Sequence, residues 1–223
     1  MIKFFRKRHL WLPTWPTVLI ALVFTGLLGW LVISNIYPFL AVNDPAEDAK
    51  VLIIEGWVPD QILEDTFADF RPGEPYDLIC TTGGRIPRGF HLSEKKTFAR
   101  LSADTIAALG VPADRIIPFA PPDDIERDRT YHAALAFKDG RGESTNEILR
   151  NATAVDVLTQ GVHGRRTRKV FQKVLGDQVE VGILSPPSGG YDTSKWFVSS
   201  EGVKDVITES ISVAYEWIGK KDR

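Results

Sequence analysis

Residues 153–175, TAVDVLTQGVHGRRTRKVFQKVL, decide the fold. TAVDVLTQ is a short apolar run of the kind that a strand buried on both faces shows. From about Gly164 the period lengthens to that of a helix, with Val170, Phe171, Val174 and Leu175 on one stripe. A buried strand feeding straight into a helix is half of a parallel α/β unit. The stretch also raises a question of charge. One histidine, three arginines and a lysine fall between His163 and Lys169, in a chain of 223 residues whose formal net charge is −2.

The strand–helix unit recurs in both directions. VLIIEG, YDLICTT and RIIPFA are compact apolar runs upstream, and VEVGILS is another downstream. Pro59 opens a helix with Ile62, Leu63, Thr66, Phe67 and Phe70 on its inner stripe. Ser93 is the expected cap of a second helix, Ser93 to Leu109, with Phe98, Leu101, Thr105 and Leu109 inward and Gly110 ending it. A third helix is expected over Asp128–Lys138. A last one is expected from about Ser199 to Ile218, with Val203, Val206, Ile207, Ser210, Ala214 and Trp217 inward. Pro118 cannot donate to a ladder, which marks RIIPFA as an edge strand. DGRGESTNEILR receives no assignment. The expected fold is α/β: a doubly wound, mostly parallel five-stranded sheet, three-layer and Rossmann-like, in the order 3-2-1-4-5.

A different segment precedes this domain. No charged side chain lies between His9 and Asp44, and residues 15–37, WPTVLIALVFTGLLGWLVISNIY, are long enough to cross about 30 Å of hydrocarbon as a helix. The exit, YPFLAV, has Phe39 where a signal-peptide cleavage site needs a small residue, so the segment reads as an uncleaved anchor. Lys3, Arg6, Lys7 and Arg8 precede it and Asp44, Glu47 and Asp48 follow, which orients the N-terminus to the cytoplasm. The expected organisation is a basic N-terminus over 1–14, a transmembrane helix over 15–37, a linker over 38–49 and an exported domain over 50–223. The location this implies is the cell inner membrane, single-pass, with the domain periplasmic or otherwise extracytoplasmic.

All 29 acidic residues follow the span, while four of the 27 Lys and Arg precede it, so residues 44–223 sum to −6. That surface does not suit nucleic acid. Cys80 is the only cysteine, so no intramolecular disulfide forms, and within YDLICTT it reads as a small buried apolar residue.

In a doubly wound sheet, ligands bind beyond the carboxyl ends of the strands. After the five runs in turn come Glu55, Gly56, Trp57 and Asp60; Thr81, Thr82, Gly83, Gly84 and Arg85; PPDDIERDRT; Thr159, Gln160, Gly161, His163 and Arg166; and Ser185. Helical phase turns Arg166 toward this edge and puts Arg165, Arg168, Lys169 and Lys173 on the solvated face. Two cations at a helix N-terminus call for an anion. Either Asp124, Glu126 or Asp128 supplies it or a ligand does.

The residues also carry a resemblance. A strand ending in T-G-G, a helix closing at L-G-V-P and a strand running V-x-x-x-T-x-G-x-H-x-R-R resemble the YdcF/SanA/ElyC family of bacterial envelope proteins over roughly Lys50 to Ser185. VLIIEGWVPD, RDRTYHAALA and YDTSKW resemble a membrane-anchored subgroup of it. The resemblance implies an exported α/β domain connected with envelope biogenesis, with no settled reaction, and it points to Glu55, Gly83, Gly84, His163, Arg165 and Arg166. Where many relatives carry S-x-N-T-x-E-N, this chain has Asp128-Arg129-Thr130, which departs from the pattern but still faces the crevice, one turn above Ala133, Ala134 and Phe137.

Two readings of function follow. In the first, Arg129 and Arg166 clamp a phosphate- or carboxylate-bearing molecule such as a phosphate-containing envelope precursor. Gly83, Gly84, Thr130 and Thr159 would line the site, and His163 would act as acid or base, oriented by Glu55 or Asp128. In the second, the chain is a non-catalytic anchored scaffold whose crevice is salt-bridged; a large exposed apolar patch is its mark. No glycine-rich dinucleotide fingerprint follows VLIIEG, no G-x-S-x-G elbow is present, and no motif names a cofactor. Four histidines, with His9 and His91 away from the crevice, do not make a zinc site, which leaves only a carboxylate-held magnesium on Glu55 and Asp128.

Overall fold

Apolar runs flanked by turn residues become five parallel strands in the computed structural model of the chain, which describes residues 13–68, 75–122, 125 and 127–218. Val51–Glu55 (β1), Leu78–Thr82 (β2), Ile116–Phe119 (β3), Ala154–Leu158 (β4) and Glu180–Leu184 (β5) form one sheet in the order β3-β2-β1-β4-β5. All four pairings are parallel. β1, β2 and β4 are buried at every position, which is why they read as unbroken apolar runs. Pro118 pairs with Thr81 on the exposed edge strand β3.

The helices cover both faces. Asp60–Phe67 (α2) and Phe98–Ala108 (α3) bury Ile62, Leu63 and Ile106 against Leu52, Ile54 and Ile79. Arg129–Glu143 (α4) and Gly164–Leu175 (α6) bury Phe137, Phe171 and Val174 against Ile53, Cys80 and Val157. Glu147–Asn151 (α5) fills the segment left unassigned from sequence: the Asn146 side chain accepts from Leu149 N, and Arg141 donates to the carbonyls of Leu149, Arg150 and Ala152. Ser200–Ile218 (α7) packs beside α6.

Three expectations are corrected. The second helix begins not at Ser93 but at Phe98, capped by Thr97, whose hydroxyl accepts from Arg100 N at 3.3 Å. Ser93 lies inside a loop closed by an antiparallel bridge between Arg85 and Thr97. The inner face of α3 is Ala99, Ser102, Ala103 and Ile106, because small residues let the helix settle close enough for the Thr81 hydroxyl to donate to Ala99 O at 2.7 Å; Leu101 is exposed. The inner face of α7 is Gly202, Val206, Glu209 and Val213, while Ile207, Ala214 and Trp217 face outward. Phe70, like Asp124 and Glu126, lies outside the described residues.

The chain divides into two compact units, Met1–Ile36 and Tyr37–Arg223. The apolar helix Trp15–Leu40 (α1) is long and apolar enough to cross a membrane. In the second unit, residues 37–49 are part of the domain. Leu40 is fully buried, and Asp44 exchanges backbone hydrogen bonds with Ile183, covering the β5 edge.

Asp156 explains why that segment stays in place. Buried within β4, its carboxylate accepts from Ala46 N at 2.8 Å and from the Tyr76 hydroxyl at 2.6 Å. Burial, and then the Asp156 hydrogen bond and charge, push the Tyr76 phenol far above its ordinary range. Gly182 on β5 is required there, since a Cβ would collide with the Asp156 carboxylate and Ala46 N. Asp156→Ala would leave two donors unsatisfied and should lower stability by about 2–4 kcal/mol, against about 1 kcal/mol for Tyr76→Phe. Urea unfolding of the full chain in detergent micelles checks the order, and a Tyr76→Phe loss equal to that of Asp156→Ala would show that Ala46 is not held by this carboxylate.

Candidate functional site

The switch in strand order falls between β1 and β4, so the loops after these strands part and leave a crevice. A cleft of about 570 Å³ occupies that place. Glu55, Gly83, Gly84, Asp128, Arg129, Thr130, His163 and Arg166 all line it, joined by Trp57 and Phe98, with Ile211, Tyr215 and Glu216 of α7 as a wall. Eight of the nine residues named in the first reading thus meet at one cavity, while Arg165, to which the resemblance also points, lines another groove.

Thr159 is the ninth, and its expected contact with a ligand is corrected. It is fully buried beneath the cleft and donates its hydroxyl to Glu55 Oε2 at 2.6 Å. Thr167 donates to the same oxygen at 3.0 Å, and Thr130 donates to Oε1 at 3.2 Å. Glu55, 2% exposed, is thus held by three hydroxyls drawn from β4's end, α6 and α4. Both oxygens are engaged, so Glu55 organises the floor of the cleft.

Arg166 follows its predicted phase and faces this floor, but its partner is one that sequence reasoning missed. Its Nε donates to Glu209 Oε1 at 2.6 Å, Nη2 donates to Oε2 at 3.3 Å, and Nη1 donates to the Thr130 hydroxyl at 3.3 Å. His163 Nδ1 lies 2.9 Å from Glu209 Oε2. Glu209 therefore supplies an anion to the two cations, and it also takes the orienting place expected of Glu55 or Asp128. Burial works to raise the Glu209 pKa, but the hydrogen bonds from His163 and Arg166, with their charges, outweigh it and hold the carboxyl below its ordinary value. Burial likewise works to lower Arg166, and the Glu209 hydrogen bond and charge raise it instead. The one available signal was an acid at helical spacing among α7's inward apolar positions, three residues after Val206 and four before Val213.

His163 ends a short 3₁₀ turn, Gly161–His163, and its ring meets Trp57 edge-on at 4.9 Å between centroids. With Nδ1 facing Glu209 and 3.3 Å from Arg166 Nη2, Nε2 is the ring nitrogen with no hydrogen-bond partner among the described residues. That is the arrangement of an oriented acid or base at a cavity wall.

The remaining residues have separate local reasons. Gly83 takes φ +137° and a Cβ there would lie 2.8 Å from Phe98 Cβ. The carbonyls of Gly83 and Gly84 accept from Ala99 N and Phe98 N, so this turn caps α3 while it lines the cleft. Asp128 precedes α4 in the left-handed conformation, φ 50°, and makes no side-chain cap. Arg129 is exposed at the first position of α4 and forms no ion pair among the described residues. His132 lines a separate groove beside Phe119 and Pro118. Among the described residues no group of three or more His, Cys, Asp or Glu is placed to hold a metal ion.

The solvated face expected for the rest of the basic run is partly corrected. Arg168 donates to Val181 O at 3.0 Å and to Asp44 at 2.7 Å, and Arg165 donates to Phe39 O. Lys169 and Lys173 are exposed.

Comparison with protein-family models, with curated proteins and with solved structures finds no match for this chain.

Because the Glu209 pKa is depressed in the folded state, its contribution to stability is present above the ordinary carboxylate value of 4.5 and is lost as pH falls through the lower folded value. Glu209→Gln should lose about 3 kcal/mol at neutral pH, since Arg166 is left buried without its counter-ion, and should flatten the acid limb below pH 4.5. Denaturant midpoints across that range read both effects; an unchanged acid limb would mean that Glu209 titrates normally.

Proposed function

We propose that this chain is a membrane-anchored envelope protein of the YdcF/SanA/ElyC kind, whose exported domain binds a phosphate- or carboxylate-bearing molecule and acts on it by acid–base chemistry. The observation that carries this reading is His163: its Nδ1 is held by a buried carboxylate, and its ring stands at the wall of a cleft of about 570 Å³. Such a histidine presents Nε2 to whatever the cleft holds, and a group of this type contributes about 10²–10⁴-fold to a proton-transfer step. Arg129 supplies the anion contact. It stands at the uncapped start of a 15-residue helix, where backbone N–H groups and the helix dipole favour negative charge. Arg166, already neutralised by Glu209, serves as a positioning residue. Membership of the family is supported by the ordered motifs, and the exported orientation by four basic residues before the span and three acidic ones soon after it.

A second reading, an anchored scaffold, has its own observation. Ile207 and Ile218 are exposed on α7 and continue the exposed Ile211 and Tyr215 of the cleft wall into one apolar stripe. The two readings part on ligand response. On the first, inorganic phosphate raises the melting temperature more than chloride of equal ionic strength, by an amount equivalent to roughly 2.7 kcal/mol at a hundredfold excess over Kd. Arg129→Ala should remove that response at little cost to the unliganded protein, whereas Arg166→Ala should destabilise it outright. A phosphate response no larger than that of chloride hands the cleft to the scaffold reading. Orientation is tested separately: a periplasm-dependent reporter fused after Arg223 should be active, and the chain should resist extraction by high salt.

A further inference from the structure

The cleft leaves most of the basic run unused. Arg165, Lys169 and Lys173 lie along the outer side of α6 and, with Trp217 and Val42, line a second, shallow groove of about 730 Å³. Arg168 also lines it but is paired with Asp44, and Asp177 is the groove's own acid. At one end stand two aromatic rings. Phe39 and Trp217 meet edge-on at 6.1 Å, the Arg165 guanidinium lies 4.0 Å from the Phe39 ring centroid, and the Lys169 ammonium lies 5.4 Å from that of Trp217. Neither ring is put away: Phe39 is 38% exposed, Trp217 59% and the adjoining Ile218 87%.

What covers this corner follows from chain connectivity. Phe39 comes two residues after Tyr37, the end of the apolar segment, and the helix continues to Leu40. At about 1.5 Å per helical residue, Phe39 cannot lie more than a few ångströms past the end of that segment. Trp217 is in ring contact with Phe39, so the end of α7 and the basic side of α6 share that level. Aromatic rings with lysine and arginine around them are what the headgroup layer of a bilayer selects: the rings sit among the glycerol and carbonyl groups, and the cations reach the phosphates.

We infer that this corner, Phe39, Trp217 and Ile218 with Arg165, Lys169 and Lys173, is a docking surface for the anionic phospholipid headgroups of the bilayer that holds α1. The inference rests on α1 spanning a membrane and is independent of what the cleft binds. Docking there would fix the domain against the bilayer rather than leave it swinging from its anchor.

The test uses the full chain carrying Ile218→Cys. Cys80, the only native cysteine, is buried, so an environment-sensitive fluorophore labels one site. The protein is reconstituted into vesicles of phosphatidylcholine alone or with phosphatidylglycerol, and quenching by lipids spin-labelled at the headgroup is measured. Strong quenching is expected with phosphatidylglycerol, falling severalfold in Lys169→Glu with Lys173→Glu, both exposed positions, and in high salt. A label at Leu92→Cys, 93% exposed on a loop after β2, should stay unquenched throughout. Quenching at 218 no greater than at 92 overturns the docking surface, and quenching indifferent to lipid charge and to the two reversals overturns its headgroup chemistry. Self-quenching that follows protein density instead of lipid composition assigns the corner to a second copy of the chain and overturns the inference. Failure of the unmodified chain to float with vesicles after an alkaline wash removes the anchor and the docking surface together, whereas flotation with an unquenched label removes only the docking surface.

Discussion

Two buried carboxylates, Glu55 and Glu209, set the terms for the end of the sheet where the strand order switches. Each is about 1–2% exposed, and an unpaired charge at that depth would cost several kcal/mol. The fold meets this with one continuous network: Thr159 and Thr167 hold Glu55, Thr130 bridges Glu55 to Arg166, and Arg166 with His163 holds Glu209. Its members come from β1, α4, α6, α7 and the turn after β4. Packing places the five elements near one another, but only a narrow range of positions satisfies every oxygen, and so the network sets their relative positions more tightly than apolar contact does.

The same constraint decides what was legible in the sequence. The strands were, since runs such as VLIIE and AVDVL are buried on both faces and carry their environment in their composition. Strand order followed from connectivity rules, and the phase of α6 from Val170, Phe171 and Val174, which turned Arg166 the right way. The face of α7 was not legible. Hydrophobicity places Ile207 and Trp217 inward and an acid outward, yet Glu209 is buried because its partner sits on α6, some forty residues earlier. No local pattern in α7 encodes that partner. The inner face of α3 was missed for a related reason: a sheet approached closely selects Ala99, Ser102 and Ala103, so the residues that matter most are the smallest.

Thr159 shows how a site residue can be found for an incomplete reason. It follows a strand at the correct end of the sheet, which is why it is named with the ligand-binding groups. Its hydroxyl is spent on Glu55 before any ligand could reach it. Position at the carboxyl edge selects residues near the site, and only hydrogen-bond partnership separates those that meet the cavity from those that hold its floor.

The basic run that first stood out is thus several residues with separate partners on one helix. Arg166 looks inward to Glu209, Arg168 reaches across to Asp44 and the β5 edge, and Arg165 and Lys169 lie on the rings of Phe39 and Trp217. The turn of roughly 100° per residue that divides these tasks also ties them together. α6 is packed through Phe171 and Val174 into the core, so it cannot rotate to favour one flank without disturbing the other. A ligand that opened the Arg166–Glu209 pair would leave α6 in place and would have to move those side chains or α7. For such a ligand the cost of unpairing the buried Glu209 carboxylate is subtracted from whatever it gains in the cleft.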